Sequence, residues 1–304
     1  MKMTLKRQSD IRWAWSIALV LVAQSVWAAP PSPLETVKHL SLESARAGRV
    51  DYYFAGPDQA RAQAMARLVD HAALMYERQF DLKVPVSLAA LGPDNWFSEF
   101  PGIPYAIPWV SISEGLLMLP SSLTQGVLIK GPDALADRRR VDFVALHEFG
   151  HLASKAYFRP AAPEPDVPVS WFDELLATFF AYAYVAQADP EWASAARAEW
   201  VREIEGFTPK VLSLDWRFMR TLPGPELSRT YGWYQIVLNH RAAEVYERHG
   251  IEWLTGLKSS LSWPDAADWT PEILLQQLDT AAPDLAAWAR HFGSGGRADD
   301  TNKK

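Results

Sequence analysis

One segment, residues 141–157 (VDFVALHEFGHLASKAY), constrains this chain more than any other stretch of its sequence. Its apolar residues recur at helical spacing and lead into two histidines, His147 and His151, that are four positions apart. Because side chains four apart lie on one face of an α-helix, both imidazoles can reach a single ion. The segment therefore predicts a helix that carries a metal site on its buried face.

The residue types in this segment fit zinc chemistry. Zinc binds neutral imidazole nitrogens, and a catalytic zinc ion keeps one coordination position open for a water molecule whose pKa it lowers towards neutrality. Glu148 follows His147 directly and need not bind the ion. Its carboxylate is placed to take a proton from that water as the water attacks a carbonyl. The H-E-x-x-H pattern thus predicts a zinc hydrolase with Glu148 as general base.

A chance match on a solvated helix face is the alternative, and a third ligand distinguishes the two interpretations. Residues 170–182 are apolar on almost every side, as in a buried helix, yet they include Glu174. A buried carboxylate without a partner is costly, which predicts Glu174 as the third ligand. The alternative is an exposed first-turn acid favoured by the helix dipole. The neighbouring Asp173 has a structural role available, because its spacing from Ser170 is that of a capping box.

The first 28 residues have the pattern of a signal peptide. Four basic residues precede an apolar run over residues 13–26. Residues 26–28, which end in Ala28, have small side chains at the positions that signal peptidase recognises. The apolar run is shorter than the roughly 20 residues that a membrane span needs. We expect export to the periplasm or secretion, with cleavage after Ala28 and no stable membrane anchor afterwards.

Cysteine count and charge restrict the chemistry further. The chain has no cysteine, so any metal must be bound through histidine, aspartate or glutamate. A net charge of −6 without a long basic run argues against nucleic acid as a partner.

The rest of the sequence predicts an α+β fold, with a small N-terminal mixed sheet and one long helix followed by a mainly helical subdomain. Residues 29–49 are predicted as a leader, 50–292 as the catalytic domain (50–130 with the sheet, 131–292 helical), and 293–304 as a disordered tail. We expect strands at 50–54, 84–91, 105–112 and 115–119, and helices at 58–80, 141–157, 171–182, 190–205, 228–249, 251–261, 270–278 and 283–292. Asp189 is predicted as the N-cap of the helix at 190–205, and Gly250 as the C-cap of the helix at 228–249.

Two expectations concern the connections. The proline-rich residues 160–169 cannot be helical and are predicted as a loop. The strand at 115–119 comes shortly before the metal helix; at the sheet edge it would be free to pair with an extended peptide, whereas as an internal strand it would not.

With His147, Glu148, His151 and Glu174 in place, the sequence resembles the gluzincin metallopeptidases, the clan of thermolysin and the aminopeptidase-N-like enzymes. HEFGH followed by SWFDELLATFFAYAY, with 22 residues between His151 and Glu174, is similar to their zinc helix and the helix that bears their ligand glutamate. The resemblance implies a zincin-like fold, one zinc ion per chain and a peptide or protein substrate.

The resemblance extends to residues 231–234 (YGWY), which look like the tyrosine that opens a later helix in several of these families. By that resemblance Tyr231 would hydrogen-bond the oxyanion of the tetrahedral intermediate. Tyr231 as a core tyrosine is the alternative, and Tyr234, His240 and Tyr182 are the other candidates for the oxyanion donor.

The sequence departs from the clan at three places. Thermolysin-like enzymes have aspartate four residues after the ligand glutamate, where it supports a histidine; here that residue is Thr178. Aminopeptidase-N-like enzymes usually have asparagine before that glutamate, where this chain has Asp173. Their G-x-M-E-N strand, which binds a free amino terminus, is absent, so aminopeptidase specificity is not supported.

The sequence therefore predicts an exported zinc metallopeptidase. Its ligands would be His147, His151 and Glu174, its general base Glu148, and its oxyanion donor Tyr231. Two other interpretations compete with this one. They are a non-catalytic binding protein that keeps the zincin fold, and a structural domain without metal in which Glu174 is only a first-turn acid.

Overall fold

The computed structural model describes residues 32–99, 108–121, 134–158, 170–206, 214, 224–261 and 270–293. Within them the chain is α+β, with a small mixed five-stranded sheet and a mostly helical body. The strands are β1 (Glu43–Ala47), β2 (Val50–Phe54), β3 (Ser87–Leu91), β4 (Trp109–Ser111) and β5 (Leu116–Pro120). The helices are α1 (Pro33–His39), α2 (Gln59–Phe80), α3 (Pro93–Glu99), α4 (Ala134–Phe158), α5 (Ser170–Ala188), α6 (Pro190–Gly206), α7 (Gly224–His249), α8 (Trp253–Ser260), α9 (Pro271–Ala281) and α10 (Pro283–Gly293), and a single 3-10 turn spans Gly56–Asp58.

The five strands lie in the order β1-β2-β3-β5-β4. The central strands β2, β3 and β5 are parallel to one another, while β1 and β4 are antiparallel to their neighbours. Each of the four predicted strands overlaps a strand of the structure, although β3 and β4 are shorter than predicted. Because β5 lies between β3 and β4, the strand predicted at 115–119 is internal, and among the described residues β4 is the edge strand on that side.

Both faces of the sheet are covered. Leu88 and Ala90 of β3 point into the large core that the sheet shares with α2, while Ala89 and Leu91 point into a smaller core with Val37 and Trp96 of α1 and α3. Successive residues of a strand alternate between the two faces, so two covered faces require a continuous apolar run. This explains why β3 and β5 are apolar without alternation.

The N-terminal part of the sheet differs from the sequence prediction. Helix α1 and strand β1 fall within residues 29–49, which we predicted as a leader, and β1 pairs with β2 along its whole length. The β1 sequence ESARA is charged and mostly exposed, so it has no apolar pattern from which to predict a strand. The predicted signal peptide 1–28, the loop 160–169 and residues 294–304 of the predicted tail lie outside the described residues.

The β1–β2 turn is fastened to α2 by one buried acid. Asp70 accepts a hydrogen bond from the backbone N–H of Arg49 at 2.9 Å. Gly48 precedes Arg49 with a φ of 60°, and a Cβ at Gly48 would overlap the Asp70 carboxylate. The turn therefore requires glycine both for its left-handed backbone and for the space that Asp70 occupies.

Replacing Gly48 by alanine is expected to lower the free energy of unfolding by about 3 kcal/mol. The left-handed backbone costs a residue with a Cβ about 1–2 kcal/mol, and displacing Asp70 breaks a charged hydrogen bond worth about 1.5–3 kcal/mol. Gly250→Ala is the matched control, because Gly250 has a φ of 67° and open space around it. Urea denaturation measures the free energy of unfolding of both variants. Equal decreases in the two variants would contradict the clash with Asp70.

The helical body is built around α5. This helix packs against α4 on one side and α7 on the other, and almost all of its residues from Trp171 to Val185 are buried. Two predicted helix ends are confirmed: Asp189 caps α6 by accepting from the Trp192 N–H at 2.9 Å, and Gly250 closes α7 with its N–H on the Tyr246 carbonyl. No helix in the part of the chain that the structure describes is long and apolar enough to cross a membrane.

Candidate metal site

Close contact between α4 and α5 brings the predicted ligands together. Gly150 lies against Ala177 of α5, and a Cβ at Gly150 would overlap the Ala177 carbonyl oxygen and lie 2.8 Å from its Cα. The two helix backbones therefore touch inside the H-E-x-x-H segment itself, at the residue before His151. Because Glu174 is one turn before Ala177, this contact places its carboxylate opposite the two histidines.

The structure places His147, His151 and Glu174 in one cluster. Glu174 Oε2 lies 3.1 Å from His147 Nε2 and 3.8 Å from His151 Nε2. One ligand atom from each residue lies within 4.8 Å of the others, and the described ranges contain no second group of this kind. His147 is buried and the other two are largely shielded from solvent.

The donor set fits a zinc ion. Two imidazole nitrogens and one carboxylate oxygen are the protein ligands of a known class of catalytic zinc site, which leaves a fourth position open. Ligand atoms at about 2.1 Å from a tetrahedral ion lie about 3.4 Å apart, and the separations of 3.1 and 3.8 Å lie on either side of that value. The third separation, between the two histidines, is no more than 4.8 Å, so rearrangement of these side chains can bring all three ligand atoms to one ion.

Charge interactions prepare Glu174 for a cation, and burial prepares His151. Burial works against ionisation of Glu174, but a hydrogen bond from His147 and the nearby charges of His151 and His147 lower its pKa to about 2. Burial lowers the pKa of His151 to about 4, with Glu174 opposing that shift. An ionised carboxylate and a neutral imidazole are the forms that bind metal. The pKa of His147 is raised, because its interactions with Glu174 and Glu148 outweigh burial.

Glu148 is buried beside the cluster but is not one of its three converging residues. Burial raises its pKa to about 7, with His147 opposing the shift and the negative charge of Glu174 adding to it. A carboxylate with a pKa near neutrality accepts and returns protons readily at physiological pH. Its position and its pKa both suit an acid–base group next to a metal.

The structure brings Tyr231 of α7 to the same place. Gln235 Nε2 donates to the Tyr231 hydroxyl at 3.0 Å and to Glu174 Oε2 at 3.1 Å, so one amide joins the tyrosine to the cluster. Burial, together with the charges of Glu174 and Glu148, raises the pKa of Tyr231, which keeps its hydroxyl protonated.

The other three candidates for the oxyanion donor have different contacts. The Tyr182 hydroxyl donates to Glu247, and His240 faces Glu244 at 3.9 Å. Tyr234 is buried, with its ring stacked on that of Tyr231. Of the four candidates that the sequence offered, Tyr231 is the one whose hydroxyl is joined to Glu174 through a shared amide.

Sequence reasoning missed two residues that contact this site. Gln235 joins Glu174 to Tyr231, and Asn239 accepts from the Thr178 hydroxyl at 3.0 Å, which itself lies 3.0 Å from His147 Nδ1. Tyr231, Gln235 and Asn239 are four residues apart on α7, and we call them the α7 stripe. A polar stripe with a helical period inside an otherwise well-packed helix was the available signal. The predicted capping contact of Ser170 lies outside the described side chains.

No family model matches the sequence, and no curated protein matches it either. Among solved structures, the chain is similar to a point mutant of the M1 zinc metallopeptidase of Deinococcus radiodurans, crystallised with a Tyr-Ser-Ala substrate. The two are 12% identical with a TM-score of 0.43, and the match covers 84% of this chain and 52% of the other. This chain therefore spans about half the length of that protein.

Proposed function

We propose that this chain is an exported zinc metallopeptidase with a zincin-like catalytic domain, in which His147, His151 and Glu174 hold one zinc ion. The observation that carries the proposal is the convergence of these three ligand groups beside Glu148, a buried carboxylate that is not a ligand. A site that only bound metal has no use for a second, costly buried acid.

Each residue then has a defined task. Zinc, when bound, polarises the scissile carbonyl and lowers the pKa of a coordinated water. Glu148 accepts a proton from the attacking water on its carboxylate and returns it to the leaving nitrogen. The Tyr231 hydroxyl, held by Gln235, donates a hydrogen bond to the developing oxyanion.

Strand β4 supports a peptide as the substrate. It is the edge strand on its side of the described sheet and contacts α4, the helix that bears the two histidines. Edge strands present unpaired backbone groups that an extended peptide can pair with. A substrate bound in this way would lie beside α4. Export of the chain is proposed from the signal-peptide pattern of residues 1–28.

Metal content of the chain comprising residues 29–304 tests the proposal. We expect about one zinc per chain. Glu174→Ala is expected to weaken zinc binding by more than the roughly 10–100-fold that a lost hydrogen bond to a ligand costs. Glu272→Ala is the matched control, because Glu272 is a first-turn acid of α9 that is not part of the cluster. This variant should bind zinc like the wild type.

Elemental analysis and chelator competition measure both effects, and a peptide library then detects cleavage. A wild type that takes up no zinc would overturn the proposal. Zinc bound stoichiometrically with no cleavage of any peptide would instead favour the non-catalytic binding protein.

A further inference from the structure

His147 has a hydrogen bond on the side of its ring that faces away from the cluster. Its Nε2 faces Glu174, and its Nδ1 lies 3.0 Å from the hydroxyl of Thr178, which is fully buried in α5. That hydroxyl in turn donates to Asn239 Oδ1 of α7 at 3.0 Å. A chain of two hydrogen bonds therefore runs from the imidazole through α5 to a third helix.

The direction of this chain follows from counting hydrogens. A threonine hydroxyl has one hydrogen, and here that hydrogen is given to the Asn239 carbonyl oxygen. The same oxygen can then only accept from His147, so Nδ1 must carry a proton. The hydrogen bond from Nε2 to Glu174 therefore belongs to the protonated ring, which has a hydrogen on both nitrogens. When His147 is neutral, its free lone pair is on Nε2, the nitrogen that faces Glu174 and His151.

The opposite direction would disable the ligand. If the amide of Asn239 donated to Thr178 instead, the hydroxyl would give its hydrogen to His147 Nδ1, and a neutral ring would carry its proton on Nε2. A protonated nitrogen cannot bind a metal ion. The identity of the group at position 239, as acceptor or donor, therefore decides which nitrogen of His147 is available.

We propose that Asn239 is a positioning residue which, through the Thr178 hydroxyl, fixes the ring orientation of His147 and keeps its Nε2 free for metal. This inference rests on the proposed metal site but not on peptide hydrolysis. A threonine hydroxyl alone can either donate a hydrogen bond to His147 or accept one from it. Once its hydrogen is given to Asn239, the Thr178 hydroxyl can only accept from His147, and Thr178 therefore orients the ring in one way.

The first test compares removal with conservative replacement. Asn239→Leu and Thr178→Val are each expected to weaken zinc binding about 10–100-fold. Asn239→Asp and Thr178→Ser keep an acceptor at 239 and a hydroxyl at 178, so both should bind zinc nearly as the wild type does. The double variant Thr178→Val/Asn239→Leu should be no weaker than Thr178→Val alone, because both changes interrupt one chain. Chelator competition measures these affinities, and thermal unfolding identifies any variant that is not folded.

The second test needs no substitution. In the ¹⁵N spectrum of the zinc-loaded wild type, His147 is expected to keep a proton on Nδ1 and to show the zinc-induced shift on Nε2. The metal-free protein should also carry the Nδ1 proton at a pH high enough for His147 to be neutral, so this measurement remains decisive if the wild type binds no zinc and the proposed function fails. Zinc on Nδ1, an Nδ1 without a proton, or an Asn239→Asp variant as weak as Asn239→Leu would each overturn the inference.

Discussion

Replacing Glu148 by glutamine is expected to lower peptide hydrolysis by about 100- to 10,000-fold, the usual contribution of a positioned acid–base group, while zinc stays bound. Burial raises the pKa of Glu148 to about 7, which suits a group that must both accept and return a proton near neutrality. Glutamine has nearly the same shape but no basic oxygen. Since Glu148 is not one of the three converging residues, the variant should keep zinc.

The comparison of kcat with KM makes this test specific. Loss of a proton acceptor lowers kcat with little change in KM, whereas a displaced substrate site raises KM. Glu203→Gln is the matched control, because burial and the charge of Glu199 also raise the pKa of Glu203. Glu203 is on α6, 3.8 Å from Arg140 of α4, and is not part of the histidine cluster. The activity of this variant should equal that of the wild type. Full activity in Glu148→Gln with zinc bound would exclude Glu148 as general base.

Replacing Gly150 by alanine is expected to destabilise the protein and weaken zinc binding together. The new Cβ would overlap the Ala177 carbonyl, a backbone atom that cannot rotate away, so α4 and α5 must separate. Overpacking of this kind costs about 1–3 kcal/mol and sometimes more. Because the same contact sets the distance from the histidines to Glu174, zinc affinity should fall as well.

Gly256→Ala is the matched control for this effect. Gly256 is also helical, in α8, but a Cβ there would meet nothing within 4 Å. That variant should be more stable than the wild type by up to about 1 kcal/mol, because alanine is the better helix former. Thermal unfolding with and without zinc measures both the change in stability and the change in zinc affinity. A Gly150→Ala protein with wild-type stability and zinc affinity would show that the helix contact does not set the site.

The sequence was informative about local features. Helical periodicity and the ends marked by Asp189 and Gly250 were sufficient to predict α2, α6 and α7 nearly to their boundaries, because these signals lie within a few residues of the backbone groups they affect. The H-E-x-x-H spacing required that His147 and His151 share a face for the same reason. Glu174 was predictable because an acid within a buried helix needs a partner.

Features that depend on contacts distant in the sequence were not predictable. Strand β1 has no apolar pattern and is defined by its pairing with β2. Strand β5 is internal because β4 pairs with the edge of β5 that faces away from β3. The roles of the metal-site residues in zinc binding and hydrolysis stay predictions, but their proximity to one another is a property of the fold. Thr178 and Asn239 are 61 residues apart, and the packing of α7 against α5 brings them within hydrogen-bond distance. The sequence alone determined which residue types could bind a metal, and only the tertiary structure decided which side chains surround them, because those neighbours come from helices whose relative positions no local pattern encodes.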